Sequence, residues 1–285
     1  VKNYLMIFLI IIGIALLFTI SNTIPSLFSH GESNHTKMSK GIDTLDFHIS
    51  SVEAKIVPEK RSDIKAELSG KGSVNVRQKG NKVMIEYKRK WFEQIGFFNA
   101  PKLTVYIPED YHENMDISVS SGSLKFAGDS KNHPMELKDL SVNIGSGHAD
   151  FANLNVDTFT SVVSSGNFEM NAITTDSGNF DVSSGRMVVK HYSGQLQAEV
   201  SSGLVNIQLD KLTAPADVTV SSGSVKLDVP DDASFTLHGK VSSGVINNSF
   251  QLKNATTSDK NIEGTYGTGK YPIDLQVSSG NITVH

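Results

Sequence analysis

The dipeptide Ser-Gly recurs ten times in the last 165 residues, each time in the same setting. Its glycines are Gly122, Gly147, Gly166, Gly178, Gly185, Gly194, Gly203, Gly223, Gly244 and Gly280, and the commonest form is Val-Ser-Ser-Gly. The residue two after each glycine is apolar, as at Leu124, Phe168, Val205 and Ile282. The residue four after is apolar except at Asn248, and the residue between them is polar except at Val188. That alternation is the period of a strand with one buried face. Each glycine therefore introduces a short strand, and glycine suits a corner because it accepts positive φ without a Cβ clash.

The spacing constrains the fold further. Gly122, Gly147, Gly166, Gly185, Gly203, Gly223, Gly244 and Gly280 follow one another at 25, 19, 19, 18, 20, 21 and 36 residues. Gly178 and Gly194 fall inside two of these intervals and predict a second corner. A unit of this size cannot bury its apolar face alone and must stack on its neighbours. The expected class is all-β: a parallel β-solenoid of Ser-Gly-cornered coils, with the corner serine hydroxyls stacked in a ladder. A sandwich or meander of similar hairpins is the competing arrangement, and the uniform corner chemistry favours the solenoid.

Upstream of the repeats the chain changes character. Tyr4 to Ile20 carries no charge. At about 1.5 Å per residue it reaches the lower limit for crossing a bilayer. No Ala-x-Ala cleavage pattern follows it, so residues 1–22 read as an uncleaved transmembrane signal-anchor helix rather than a removable signal peptide. Residues 23–41 read as a flexible polar tether. Residues 42–285 read as one β domain, divided into an N-terminal β region (42–115) and the Ser-Gly solenoid (116–285). Between Gly244 and Gly280, residues 254–269 read as an exposed loop inserted in the last coil.

Cysteine is absent, which excludes a disulfide scaffold, a thiolate metal site, a cysteine nucleophile and a lipoprotein anchor. No Gly-x-Ser-x-Gly elbow is present, and equivalent Ser-Gly pairs cannot all be nucleophiles. The nine histidines show neither His-x-His nor His-Glu-x-x-His spacing. Gly264–Gly269 lacks the Gly-Lys-Ser/Thr ending of a phosphate loop. No catalytic, cofactor or metal residues are assigned, and the chain reads as a non-enzyme. One outward column, three after each glycine, places Asp150 and Glu169 on coils expected to be adjacent, where two carboxylates could share a cation. Lys125 and Lys226 in the same column favour an ordinary mixed polar face.

Charge is unevenly placed. Residues 53–102 hold 12 Lys/Arg against 6 Asp/Glu, and residues 103–285 hold 11 against 21. The basic part contains Lys88-Arg89-Lys90-Trp91-Phe92, closely followed by Phe97 and Phe98, with the only tryptophan of the chain. Three consecutive cations beside aromatics suit an anionic membrane surface or a partner groove. A loop folded over the end of the β core, with its aromatics buried, is the structural alternative. Nucleic acid is not an expected partner of an acidic exported chain.

Ile107-Pro108-Glu109 ahead of the Val-Ser-Ser-Gly coils, Asp228-Val229-Pro230-Asp231 later on, and the closing Val277-Ser278-Ser279-Gly280-Asn281-Ile282 together resemble the bacterial putative-adhesin β-solenoid domain of unknown function. The resemblance covers about residues 42–285. With the N-terminal anchor, the chain is similar to a member encoded with a cell-envelope stress system in Bacillus-type bacteria. The resemblance implies a plasma-membrane protein linked to envelope stress, and the signal-like shape of the N-terminus with the surface-type fold predicts a single pass with an extracytoplasmic C-terminal domain. Its expected partners are the plasma membrane and either envelope-stress membrane proteins or a cell-wall polymer. A polysaccharide-active solenoid enzyme is the alternative.

Overall fold

The computed structural model describes residues 32–37, 41–88 and 100–285. Among them there is no helix, and 22 strands are hydrogen-bonded into one continuous system. Elements β1 (Glu32–Lys37) to β7 precede the repeats: β2 (Thr44–Ile49), β3 (Val52–Glu59), β4 (Asp63–Ser69), β5 (Ser73–Lys79), β6 (Lys82–Lys88) and β7 (Lys102–Pro108). The coils use β8 (Asn114–Val119), β9 (Gly122–Ala127), β10 (Met135–Ile144), β11 (His148–Val163), β12 (Asn167–Val182), β13 (Arg186–Val200), β14 (Leu204–Lys211), β15 (Ala216–Val220) and β16 (Ser224–Asp228). The chain closes with β17 (Phe235–Val241), β18 (Val245–Asn248), β19 (Lys253–Thr257), β20 (Asn261–Tyr266), β21 (Tyr271–Val277) and β22 (Asn281–Val284).

Stretches before each Ser-Gly corner stack in parallel as one strip: β2, β8, β10, the later halves of β11, β12 and β13, then β15. Stretches after the corner stack as a second strip: β3, β9, the earlier halves of β11, β12 and β13, then β14 and β16. Both strips are in register from coil to coil. Val163, Val182, Val200 and Val220 form one inward column, and Ala149, Phe168, Met187, Val205 and Val225 form another. A short third face joins the strips in the middle coils, where Met135–Leu137, Leu154–Val156 and Ile173–Thr175 pair. It is entered through Asn153, Ala172 and His191, whose φ angles of 57°, 56° and 57° are left-handed. The apolar core lies between the strips. Through it runs a chain of edge-to-face rings, Phe126–Phe151–Phe168–Phe159–Phe180–Tyr192, with centroids 5.0–6.2 Å apart.

The corner glycines are required for a reason other than the one expected. Of the ten, only Gly122 and Gly194 have positive φ. Gly178 apart, the others lack a side chain because they lie directly against the coil beneath them. A Cβ on Gly185 would stand 2.5 Å from the Gly166 carbonyl oxygen and 2.6 Å from Val163 Cγ1. One on Gly203 would stand 2.7 Å from the Gly185 oxygen and 2.5 Å from Val182 Cγ1. The valine of each Val-Ser-Ser-Gly thus fills the space that the next coil's glycine leaves.

Several other expectations change. The serine corner is held by the backbone, as in Ser184 N–H to Ser164 O at 2.8 Å and Ser202 N–H to Ser183 O at 2.7 Å. Among the described residues, hydroxyl contacts between corner serines are confined to Ser50, Ser51 and Ser121, and no hydroxyl ladder runs along the stack. Gly178 is not a corner; it lies within β12, where the fully buried Tyr192 hydroxyl occupies the place of its missing side chain. That hydroxyl bonds Thr175 Oγ1 at 2.7 Å and donates to the Gln195 carbonyl, and burial pushes its pKa up to about 12. Residues 254–269 are not a loop but mostly the antiparallel pair β19–β20.

Neither does the pairing break at 115/116. β2 and β3 belong to the same strips as the repeats, and β6 and β7 pair outside them in parallel. Antiparallel β5 and β4 then cover that end. Part of the expected tether, β1, pairs antiparallel with β4. The far end mirrors this arrangement. The chain passes from β15 and β16 out to β17 and β18, turns through β19 and β20, and returns as β21 and β22 between them.

Two consequences are measurable by denaturant melts. Gly203→Ala is expected to cost about 1–3 kcal/mol by overpacking against Val182 and the Gly185 carbonyl. The exposed Ser202→Ala beside it should stay within about 0.5 kcal/mol; equal effects would remove the stacking account. Ser161 is 1% exposed, faces the core between Val142 and Phe180, and its hydroxyl has no partner. Ser161→Ala should therefore be neutral or stabilising by up to about 1 kcal/mol.

Candidate functional site

The basic aromatic segment begins at the end of the stack. Lys88 closes β6, is exposed, and its Nζ lies 3.1 Å from Glu86 Oε2. Arg89, Lys90, Trp91, Phe92, Phe97 and Phe98 lie outside the described residues. The flanking strands fix where the segment leaves and rejoins the domain. β6 and β7 stand in register with β2 and β3, whose own connection is the tight Ser50–Ser51 turn. Residues 89–99 thus bridge the position of a Ser-Gly corner in the terminal coil. Glu32 pairs with Leu68, and Leu68 with Leu103, one residue into β7. The chain from residues 1–31 therefore meets the domain beside the same corner. Tyr4 to Ile20 lies outside the described residues, among which no helix is long and apolar enough to cross a membrane.

A groove of about 750 Å³ opens on the outer face of the second strip. Its floor carries Lys55 of β3, Lys125 of β9 and Asp150 of β11, which are cross-strand neighbours in that order. Beside them Val57, Ala127 and Ala152 leave a shallow apolar hollow. The segment after β9 forms a wall with Asp129, His133 and Pro134, and Glu109 stands on the opposite rim. This segment is pinned lower on the stack. Lys131 Nζ is 2.6 Å from Asp210 Oδ2, and His191 Nδ1 is 2.6 Å from Asp210 Oδ1. Burial pushes the Asp210 carboxyl up, but the bonds from Lys131 and His191 outweigh it and hold the group below its ordinary value. The expected Asp150–Glu169 pair is present as direct cross-strand neighbours. Only Asp150 reaches the groove.

A second groove, about 440 Å³, lies on the outer face of the first strip near the far end. Asp217, Asp274, His238 and Glu263 cross it as one row over β15, β21, β17 and β20. Burial, then the charge of Asp274, raises the pKa of Asp217. Among the described residues no three His, Asp or Glu side chains converge in a way that could hold a metal ion. Neither groove was legible as such from sequence. The charged columns were, but the wall after β9 carried no motif.

The chain belongs to the family described as Toastrack DUF4097, whose profile matches residues 42–285. Among curated proteins nothing matches. Three solved structures resemble it in backbone course. A putative adhesin from Bacteroides fragilis is 11% identical, with 90% of this chain and 99% of that chain covered and a TM-score of 0.44. A putative lipid binding protein from Parabacteroides distasonis is 15% identical, with 90% and 96% covered and a TM-score of 0.46. A putative cell adhesion protein from Clostridium sporogenes is 11% identical, with 89% and 98% covered and a TM-score of 0.27.

The two perturbed carboxyls give opposite pH signatures in thermal melts. Asp210 has a depressed folded-state pKa, so its contribution is present above the unfolded value and is lost as pH falls through the folded one. Asp210→Asn should lower the melting temperature at pH 7, with the gap closing below about pH 4. Asp217 has a raised folded-state pKa, so its ionisation opposes folding at neutral pH. Asp217→Asn should raise the melting temperature at pH 7 and lose that advantage toward pH 3; a pH-independent gap at either position would contradict these assignments.

Proposed function

We propose that the chain is a non-enzymatic, membrane-anchored β-solenoid that presents an interaction surface at the bacterial cell envelope. In this reading Tyr4 to Ile20 spans the plasma membrane once, the β domain is extracytoplasmic, and the protein serves the envelope-stress response, in line with the resemblance to a member encoded with a cell-envelope stress system. The observation that carries the reading is the shared exit corner. The apolar segment joins the domain at Glu32, beside Leu103, and the Lys88–Phe98 segment leaves and rejoins at that same edge of the terminal coil. A domain tethered there would bring the end of β6, from which the basic aromatic segment continues, close to the lipid headgroups. Cations next to an anionic leaflet contribute about 1 kcal/mol each, less at high salt.

A polysaccharide-active enzyme would place two carboxylates across one groove. The pair that the sequence offered for that role, Asp150 and Glu169, are neighbours on one strip; of the two only Asp150 lines the groove, alongside Glu109 and Asp129.

Two experiments test the proposal. Residues 32–285 should bind anionic vesicles weakly at low salt, shifting Trp91 fluorescence to the blue. Replacing Lys88, Arg89 and Lys90 with Glu should abolish binding without lowering the melting temperature. A Trp91 emission that is already blue and indifferent to vesicles would assign the segment to the core instead. Because the chain has no cysteine, Asp259→Cys in the exposed turn between β19 and β20 reports topology. An impermeant maleimide should label it in intact protoplasts, and labelling only after lysis would reverse the orientation.

A further inference from the structure

The floor of the larger groove carries an unusual order of charge. Along the outward column of the second strip the residues are Lys55, Lys125, Asp150 and Glu169, each directly opposite the next. Like charges facing each other across neighbouring strands are unfavourable, whereas alternating signs would neutralise one another. This column places two cations together and then two anions. Among the described residues none of the four makes an ion pair, although Lys125 and Asp150 are cross-strand partners. Both signs therefore face solvent in the same concavity. The hollow of Val57, Ala127 and Ala152 lies alongside, and the rim adds Glu109, Asp129 and His133.

We infer that this groove is a binding site for a small zwitterion, a phosphate ester that carries a primary ammonium. The phosphate sits between Lys55 and Lys125, where a doubly charged anion relieves their repulsion and takes charge-assisted hydrogen bonds from both ammonium groups. The ligand ammonium sits at Asp150, and the Asp129 carboxylate of the wall lines the same groove. Lys125 and Asp150 stand on neighbouring strands whose backbones run about 4.8 Å apart, so a ligand whose two charges are joined by a short linker can meet both. A short alkyl link lies against the alanines. A plain anion gains the lysines but meets the carboxylates, and a plain amine meets the reverse. Only a ligand with both charges satisfies the floor.

The groove wall is the segment after β9, and its attachment through Lys131 to Asp210 fixes the wall from outside the groove. Lys131 and Asp210 are positioning residues in this scheme. Loosening the wall should weaken binding while leaving the preference for the zwitterion unchanged.

Titration calorimetry of the full chain in maltoside micelles tests the inference, with phosphoethanolamine, inorganic phosphate and ethanolamine as probes. Phosphoethanolamine should bind roughly two- to fivefold more tightly than phosphate, the scale of one exposed charge contact, and ethanolamine should be weakest. Lys125→Glu and Asp150→Lys should each abolish the preference, with melting temperatures showing that both variants fold. Lys226→Glu, in the same column but outside the groove, should leave it unchanged. Full chain in nanodiscs distinguishes the source of the group. Competition by phosphatidylethanolamine against the soluble ester assigns it to a lipid headgroup, and unchanged affinity assigns it to a free or polymer-borne ester; both support the site. Equal binding of phosphate and phosphoethanolamine, an Asp150→Lys variant that binds like the parent, or no heat from any probe would overturn it. The test does not depend on the membrane reading, because the soluble probes report on the groove wherever the domain resides.

Discussion

The contact between a corner glycine and the coil beneath it sets the terms for the rest of the molecule. At most of the Val-Ser-Ser-Gly corners the backbone of one coil rests on the glycine carbonyl of the coil beneath and on a methyl of that coil's valine or, at Gly166, isoleucine. A Cβ does not fit there, so the two strands of every coil leave the corner at a fixed position. The backbone bonds between successive serines then lock the stack. With the corner fixed, the parallel register follows, and a slip by one residue would turn the buried column outward. The inward positions are consequently near-uniform in character. Large rings are admitted where neighbours compensate, as where Gly178 leaves room for Tyr192.

A stack built this way has ends, and an exposed strand edge invites pairing with other chains. Here both ends are closed by the same manoeuvre. The chain runs to the outermost coil and doubles back, so that the terminal strands of the repeat are inserted one coil inside. At one end β2 and β3 lie within β6 and β7, with β4 and β5 antiparallel outside. At the other, β21 and β22 lie within β17 and β18. β19 then forms an exposed outer edge that begins at Lys253 and has a register shift, two features that discourage further pairing.

How much of this is legible in the sequence follows from which contacts are local. The inward columns and the corner row are visible because the alternation and the spacing record them directly. The all-β class and the stacking follow from those two facts. The role of the glycines is not legible, since positive φ and a close approach both demand glycine; only Gly122 and Gly194 meet the first condition. The left-handed corner at Asn153, Ala172 and His191 is also hidden, because alanine at such a position carries no signal. The doubling back at the ends is hidden for a different reason. β21 and β22 carry the same motif as every other coil, so nothing in their residues says which neighbours they choose. Of the candidate site residues, Asp150 and Glu169 were adjacent as their spacing implied, whereas the groove beside Asp150 depends on a wall with no periodicity of its own.

The departures from the period are where chemistry becomes possible. Coils separated by 18 to 21 residues have just enough chain for their strands and turns, and their outward faces are flat. The interval of 25 residues before Gly147 has more than it needs, and the surplus becomes the segment that walls the larger groove and reaches Asp210. The interval of 36 residues before Gly280 supplies β19 and β20, and Glu263 on β20 completes the acidic row of the second groove. In the terminal coil, residues 89–99 replace a corner that elsewhere needs only a tight turn. Substitution at the corner row is forbidden by packing, while substitution on the outward columns changes only what faces solvent. A family built on this stack can therefore keep its shape and alter its ligands by lengthening a few intervals and rewriting a few outward columns. In this chain the order of two lysines followed by two carboxylates, beside the longest excursion of the central coils, is where such rewriting is most evident.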